Sequence, residues 1–244
     1  MRTKTLILSG ILAALSGVSL MAQVYSINAV GYINVNVPPN WSILADQLYA
    51  TNQQTSQTID AILGPTLLST NSLGVGNYVG SIVFPYNNGL TSGSQAFDPA
   101  ILVVQQNGQP PAWSSTAPSN TTFNPGQAVF IYNPGAAYQM TFVGQVPQGT
   151  VTNLLTGGGF NLVSSIVPQT GAIDTDLGIQ PGVGDIVFTF ENGAYDPANI
   201  VVSLTGSTVN WSHGASSTNQ VGTGFFYYNA SATSNNWVRT FNVN

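Results

Sequence analysis

The chain has one histidine, His213, and no cysteine. Any Ser-His-Asp or metal-histidine chemistry must therefore pass through that imidazole. Ser212 is its neighbour and alternates to the opposite face of a strand. The residue that aligns with His213 in the other half of the chain is Ser115, so the imidazole belongs to a loop or strand end after Trp211. Without cysteine there is no thiol nucleophile, thiolate metal site or lipid-bearing cysteine.

Carboxylates are the second source of chemistry. Glu191 with Asp196, or Asp98 with Asp196, would be the pair for glycoside hydrolysis. Yet Asp98 and Asp196 each sit between an aromatic residue and Pro-Ala. That shared placement reads as a turn in which the side chain accepts backbone N–H bonds. No catalytic residue is assigned. Asp174, Asp176 and Asp185, in GAIDTDLGIQPGVGD, are the set from which a calcium site would be drawn, with oxygens at i and i+2. No glutamate follows at the EF-hand position, and Ile62 and Ser81 stand opposite Asp176 and Asp185 in the first half. Apart from that calcium, no cofactor is expected.

The third source is aromatic: Trp and Tyr rings stack on sugar faces. Trp41, Trp113, Trp211, Trp237, Phe84, Phe130, Phe188 and Phe226 each align with a bulky residue in the other half, as core packing requires. Tyr49, Tyr78 and Phe123 have no aromatic counterpart, which makes them the candidates for a carbohydrate-binding surface.

These comparisons rest on a tandem duplication. SIVFPYNNG (81–89) faces DIVFTFENG (185–193) at an offset of 104. FDPA (97–100) faces YDPA (195–198) at 98, and GQAVFIYNP (126–134) faces GTGFFYYNA (222–230) at 96. NWSIL (40–44) faces GFNLV (159–163) further upstream. Two copies about a hundred residues long indicate two modules of domain size, residues 23–147 and 148–244.

The modules read as strands. Ile33, Val35 and Val37 alternate with Asn34 and Asn36. ILVV (101–104), NIVV (199–202) and GFFYYN (224–229) are short apolar runs of the kind buried on both faces. Asn88-Gly89, Asn107-Gly108 and Asn192-Gly193 suit tight type I′ hairpins. Residues 56–64 and 172–179 read as short helices, with Ser56 or Thr58 and Thr170 as N-caps and Gly64 and Gly178 near the C-termini. The fold expected is all-β: two tandem β-sandwiches or half-open barrels, each with one short helix.

In order and position, NWSIL and GFNLV, then GQAVFIYN and GTGFFYYN, resemble a β-unit repeated in secreted and surface bacterial proteins. That unit opens on a GWNLI-like strand and closes on G-x-GYW or G-x-GFF. Ala128 and Val129 depart from it in the first copy, where the unit has a glycine and an aromatic. The resemblance implies an extracellular accessory or structural module and transfers no catalytic residues.

Arg2 and Lys4 precede an apolar run from Leu6 to Met21, and Ala22 offers a cleavage point, the pattern of a secretory signal peptide over residues 1–22. Cleavage leaves Arg239 as the single basic residue against eight carboxylates, a balance of +1 − 8 = −7. Nucleic acid and anionic lipid are excluded as partners by that balance, and no membrane insertion is expected after cleavage. A polar, nearly uncharged surface favours self-association, contact with a cell-surface matrix, or neutral polysaccharide. The expected function is a secreted, non-enzymatic structural or surface-assembly protein. The alternative is a carbohydrate-binding module pair. Both place the chain outside the inner membrane, in the medium, on the outer surface or in the periplasm.

Overall fold

The computed structural model describes residues 29–50, 57–64, 77–89, 95–106 and 110–243. The 1–22 segment, Ser56 and the Asn107-Gly108 turn lie outside them. The fold is all-β, built from antiparallel sheets with no barrel closure among the described residues.

Two five-stranded paths share one strand order. The first runs β2 (Asn40–Leu44), β7 (Val129–Asn133), β3 (Asn77–Asn88), β5 (Ile101–Gln106) and β6 (Ala112–Trp113), with β4 (Gln95–Phe97) added to β3. The second runs β10 (Gly159–Val163), β18 (Phe225–Asn229), β12 (Ile186–Phe188), β15 (Asn199–Thr205) and β16 (Thr208–Trp211). Registers correspond as well: Trp41 pairs with Tyr132 and Phe84 with Phe130, while Phe160 pairs with Tyr228 and Phe188 with Phe226.

Each sheet is covered on one face by a two-stranded ribbon. β1 (Val30–Val37) pairs with β8 (Tyr138–Gln145), and β9 (Gly149–Leu155) pairs with β19 (Asn235–Phe241). Alternation in β1 puts Ile33, Val35 and Val37 inward, against Leu44, Val83 and Ile131 of the sheet. The second core holds Val163, Val187, Phe225 and Tyr227 against Leu155 and Trp237. A third cluster joins the uncovered faces, with Ile43, Ala45, Ala128 and Phe130 of the first half packed on Leu162 and Phe226 of the second.

Several local expectations change. The first helix, α1 (Ile59–Ile62), is a single turn capped by Thr58, whose hydroxyl accepts from Ala61 N–H at 3.3 Å. The second is absent: residues 173–177 form turns, because Gly171–Ala172 (β11) pairs with Thr218–Asn219 (β17) and fixes the entry in an extended form. Thr170 caps nothing there; its hydroxyl accepts from Val221 N–H. Asn192-Gly193 makes the expected two-residue hairpin between β13 (Phe190–Glu191) and β14 (Ala194–Tyr195), with φ of 52° and 81°. Asn88 instead ends β3 opposite Gln95, so Asn88-Gly89 opens a longer connection. β7 and β18 are buried on both faces, but β15 is not, since Ile200, Val202 and Leu204 point to solvent.

Candidate functional site

Strand parity builds the site. Trp41, Ile43, Phe84, Tyr86, Phe130 and Tyr132 share the sheet face that turns away from the first core. Phe160, Leu162, Phe188, Phe190, Phe226 and Tyr228 do the same in the second half. Where these faces meet, the centre is dry and the edge is open. Phe226 is 7% exposed, whereas Trp41 is 39% and Phe160 is 38% exposed.

The rings at the edge line two clefts. One, of about 650 Å³, is walled by Trp41, Phe84, Phe130, Phe190, Phe97 and Tyr195. The other, of about 510 Å³, is walled by Phe160, Phe188, Phe226, Tyr86, Tyr195 and Phe97, backed by Asp196-Pro197-Ala198. The two ring sets correspond residue by residue in the sheets, and Phe97 and Tyr195 form the partition that both share. Ring geometry repeats as well. Phe130 meets Phe190 edge-on at 4.9 Å, and Phe226 meets Tyr86 edge-on at 5.1 Å. Trp41 lies 5.0 Å from Tyr132, and Phe160 lies 5.0 Å from Tyr228. Burial among these rings raises the Tyr86 and Tyr195 phenols above their ordinary range.

Reciprocal backbone bonds hold the halves in this pose. Ala45 N–H donates to Gly222 O at 3.0 Å, and Ser164 N–H donates to Gly126 O at 2.9 Å. Both glycines have positive φ, 80° and 94°, and a Cβ on either would strike the opposite half: Val35 at 2.2 Å or Ile166 at 2.7 Å. Gln47 adds a bridge, accepting from Gly222 N–H and donating to Ser164 Oγ.

The residues singled out for chemistry are placed as follows. His213 is exposed, and its backbone N–H donates to Asn199 Oδ1. Ser212 Oγ is committed to Ile200 N–H and Asn199, not to the imidazole. Asp98 and Asp196 occupy matching turns, with their own N–H groups donating to Pro85 O and Thr189 O. The Asp196 carboxylate accepts the Thr189 hydroxyl at 2.6 Å, where a backbone donor was expected. Glu191 is exposed at the rim.

The three calcium candidates do not converge, and no metal-holding acidic cluster exists among the described residues. Asp174 accepts from the Trp211 indole N–H at 2.8 Å, and Asp176 accepts from Ala172 N–H. Burial raises Asp174, but hydrogen bonds from Trp211, Ser216 and Thr175 outweigh it and hold the carboxyl below its usual value. Asp185, 2% exposed, is saturated by Gly182 N–H, Ala230 N–H and the Tyr227 hydroxyl. It is a structural acid inside the second core, and burial, followed by the bond to and charge of Asp185, drives the Tyr227 phenol upward.

Of the sugar candidates, Phe123 is fully buried in the first core and offers no face to a ligand. Tyr49 is half-buried and tied by its backbone to Gln145 in both directions. Tyr78 lies in β3 opposite Gln105, and its side chain is outside the described residues. Neither Phe123 nor Tyr49 lines the aromatic clefts. Those are lined by paired aromatics, of which Trp41, Phe84, Phe130, Phe188 and Phe226 read from the sequence as core. The missed signal is parity: in each strand these rings alternate with the residues of the covered core.

Comparison of the chain with protein-family models, curated proteins and solved structures finds no match.

Proposed function

We propose that this is a non-enzymatic, exported structural or surface-assembly protein, made of a duplicated β-module, whose contact surface is the pair of aromatic clefts. One observation carries the reading. Trp41 and Phe160 hold corresponding places, expose more than a third of their surface, and stand at clefts walled mainly by aromatic rings. An open apolar patch of that extent is characteristic of an interaction surface. The charge pattern supports it: three basic and eight acidic residues in the whole chain put little repulsion between copies. The signal-like residues 1–22, and the resemblance to a secreted bacterial β-unit, favour a place outside the inner membrane.

A second reading, adhesion to neutral polysaccharide, is favoured by the matched Trp41 and Phe160 rings as stacking platforms. Negative-stain imaging of the concentrated protein, as processed on export, separates the two. Regular particles or fibres support assembly. Dispersed monomers that are retained on insoluble neutral glycan support adhesion.

A further inference from the structure

The two halves carry an Asn-Gly pair at corresponding positions, Asn88-Gly89 and Asn192-Gly193, and the fold treats the two pairs oppositely. Asparagine before glycine is a chemically labile sequence, because glycine has no side chain to keep its backbone nitrogen away from the asparagine Cγ. That nitrogen attacks Cγ, ammonia leaves, and a five-membered imide forms. Water then opens the imide at either carbonyl. The net change is amide plus water to carboxylate plus ammonium, with no oxidation or reduction.

In the first half both reacting groups are occupied. Asn88 is buried; its Oδ1 accepts from Leu162 N–H at 2.8 Å, and its Nδ2 donates to Leu162 O at 3.3 Å. The attacking nitrogen is engaged as well, since Gly89 N–H donates to Asn87 Oδ1 at 2.9 Å. All three bonds must break before nitrogen and carbon can meet.

In the second half both groups are free. Asn192 is exposed, and among the described residues neither its amide nor Gly193 N–H has a hydrogen-bond partner. Glu191 takes the place of Asn87 and does not hold the glycine nitrogen. Only two residue pairs, Phe190 with Tyr195 and Glu191 with Ala194, close the hairpin, so it opens at little cost. A Cβ on Gly193 would meet nothing within 4 Å, which leaves the turn room to swing toward the imide.

We propose that Asn192 is a self-modification site, converting spontaneously to aspartate or isoaspartate through an imide with Gly193, while the fold protects Asn88. The product sets a new carboxylate between Glu191 and Gly193, and Gly193 lines the larger aromatic cleft. The modification stands independently of any function, and its consequence rests on the assembly reading. There the added charge faces its like on another copy and weakens association as the protein ages.

The test is site-resolved peptide mapping by mass spectrometry of residues 23–244 held at mildly alkaline pH, folded and in denaturant. The expected result in the folded protein is conversion at Asn192 at least about tenfold faster than at Asn88, whose hydrogen bonds must first be lost. In denaturant the two sites should react at closely similar rates. Equal rates in the folded protein, or an Asn192 that stays intact while the denatured chain converts, overturn the proposal. Asn192→Asp tests the consequence by light scattering: assembly should need about two- to fivefold more protein than the wild type at low salt, and the difference should shrink as salt is added. A variant that assembles like the wild type overturns the consequence and leaves the modification standing. A wild type that stays monomeric sinks the assembly reading instead, and the mapping still decides the modification.

Discussion

The Cβ of Ala128 stands 2.4 Å from the point a Cβ on Gly224 would occupy. These residues hold the same place before β7 and β18, so the contact is between counterparts, and only one of the two can carry a methyl group. The departure of the first GQAVF segment from its G-x-G pattern is thereby accounted for at the level of packing.

Gly224→Ala should accordingly destabilise the fold by about 2–3 kcal/mol through overpacking, the more so because Val163 O lies 2.8 Å from the added carbon. Ala128→Gly should cost less than about 1.5 kcal/mol. The exchange Ala128→Gly with Gly224→Ala should recover part of the loss, which denaturant titration of the four proteins measures directly.

Phe226→Ala removes a ring at the centre of the contact between halves and is expected to cost about 3–5 kcal/mol. Trp41→Ala, at the open edge, should cost distinctly less. Thermal unfolding followed by near-UV circular dichroism distinguishes the two.

How much of this was legible in the sequence follows from residue pairs. The Trp113–Asp60 and Trp211–Asp174 bonds, 2.5 and 2.8 Å long, join corresponding residues of the two halves, and the sequence shows the correspondence: TIDAILG (58–64) faces AIDTDLG (172–178), and Trp113-Ser114 faces Trp211-Ser212. Strand content and the Asn192-Gly193 turn were likewise visible, because alternation and turn chemistry are local. Phe123 lies in the core and not at a surface, because an unmatched aromatic says nothing about depth. Trp41 stands at an open edge and not in a core, because matched bulk between copies fits a shared contact face as well as a shared core. Asn88 bonds inward to Leu162 whereas Asn192 is exposed, a difference that follows from a long connection in one half and a two-residue turn in the other, which the near-identical NNG and ENG segments do not specify.

Asp46 is buried, with Leu48 N–H and Gln57 Nε2 donating to its oxygens. Loss of water lifts its carboxyl from 3.8 to about 7. The folded state therefore holds a proton that the unfolded chain releases, and this group's contribution to stability is largest below pH 4. It declines as pH rises from about 4 to 7, by up to about 4 kcal/mol. Asp174, held below its usual value, has the opposite sign: it stabilises at neutral pH and that contribution fades as acid protonates it. Melting temperature against pH should fall between 4 and 7 in the wild type and flatten over that window in Asp46→Asn.

Phe123→Ala should reduce stability by about 3–5 kcal/mol, as expected of a ring in the first core. Tyr49→Ala should leave any glycan binding unchanged, since Tyr49 lies outside both aromatic clefts. Paired unfolding and glycan-retention assays on the two variants check both outcomes.

The central claim is that the aromatic clefts are the contact surface between copies. The measurement is mass by light scattering over a concentration series of residues 23–244, wild type beside the double variant Trp41→Ser, Phe160→Ser. Wild-type mass rising with concentration, and a variant that remains folded and monomeric, is the expected result. A wild type that keeps monomer mass throughout, or a variant that assembles equally well, would contradict it.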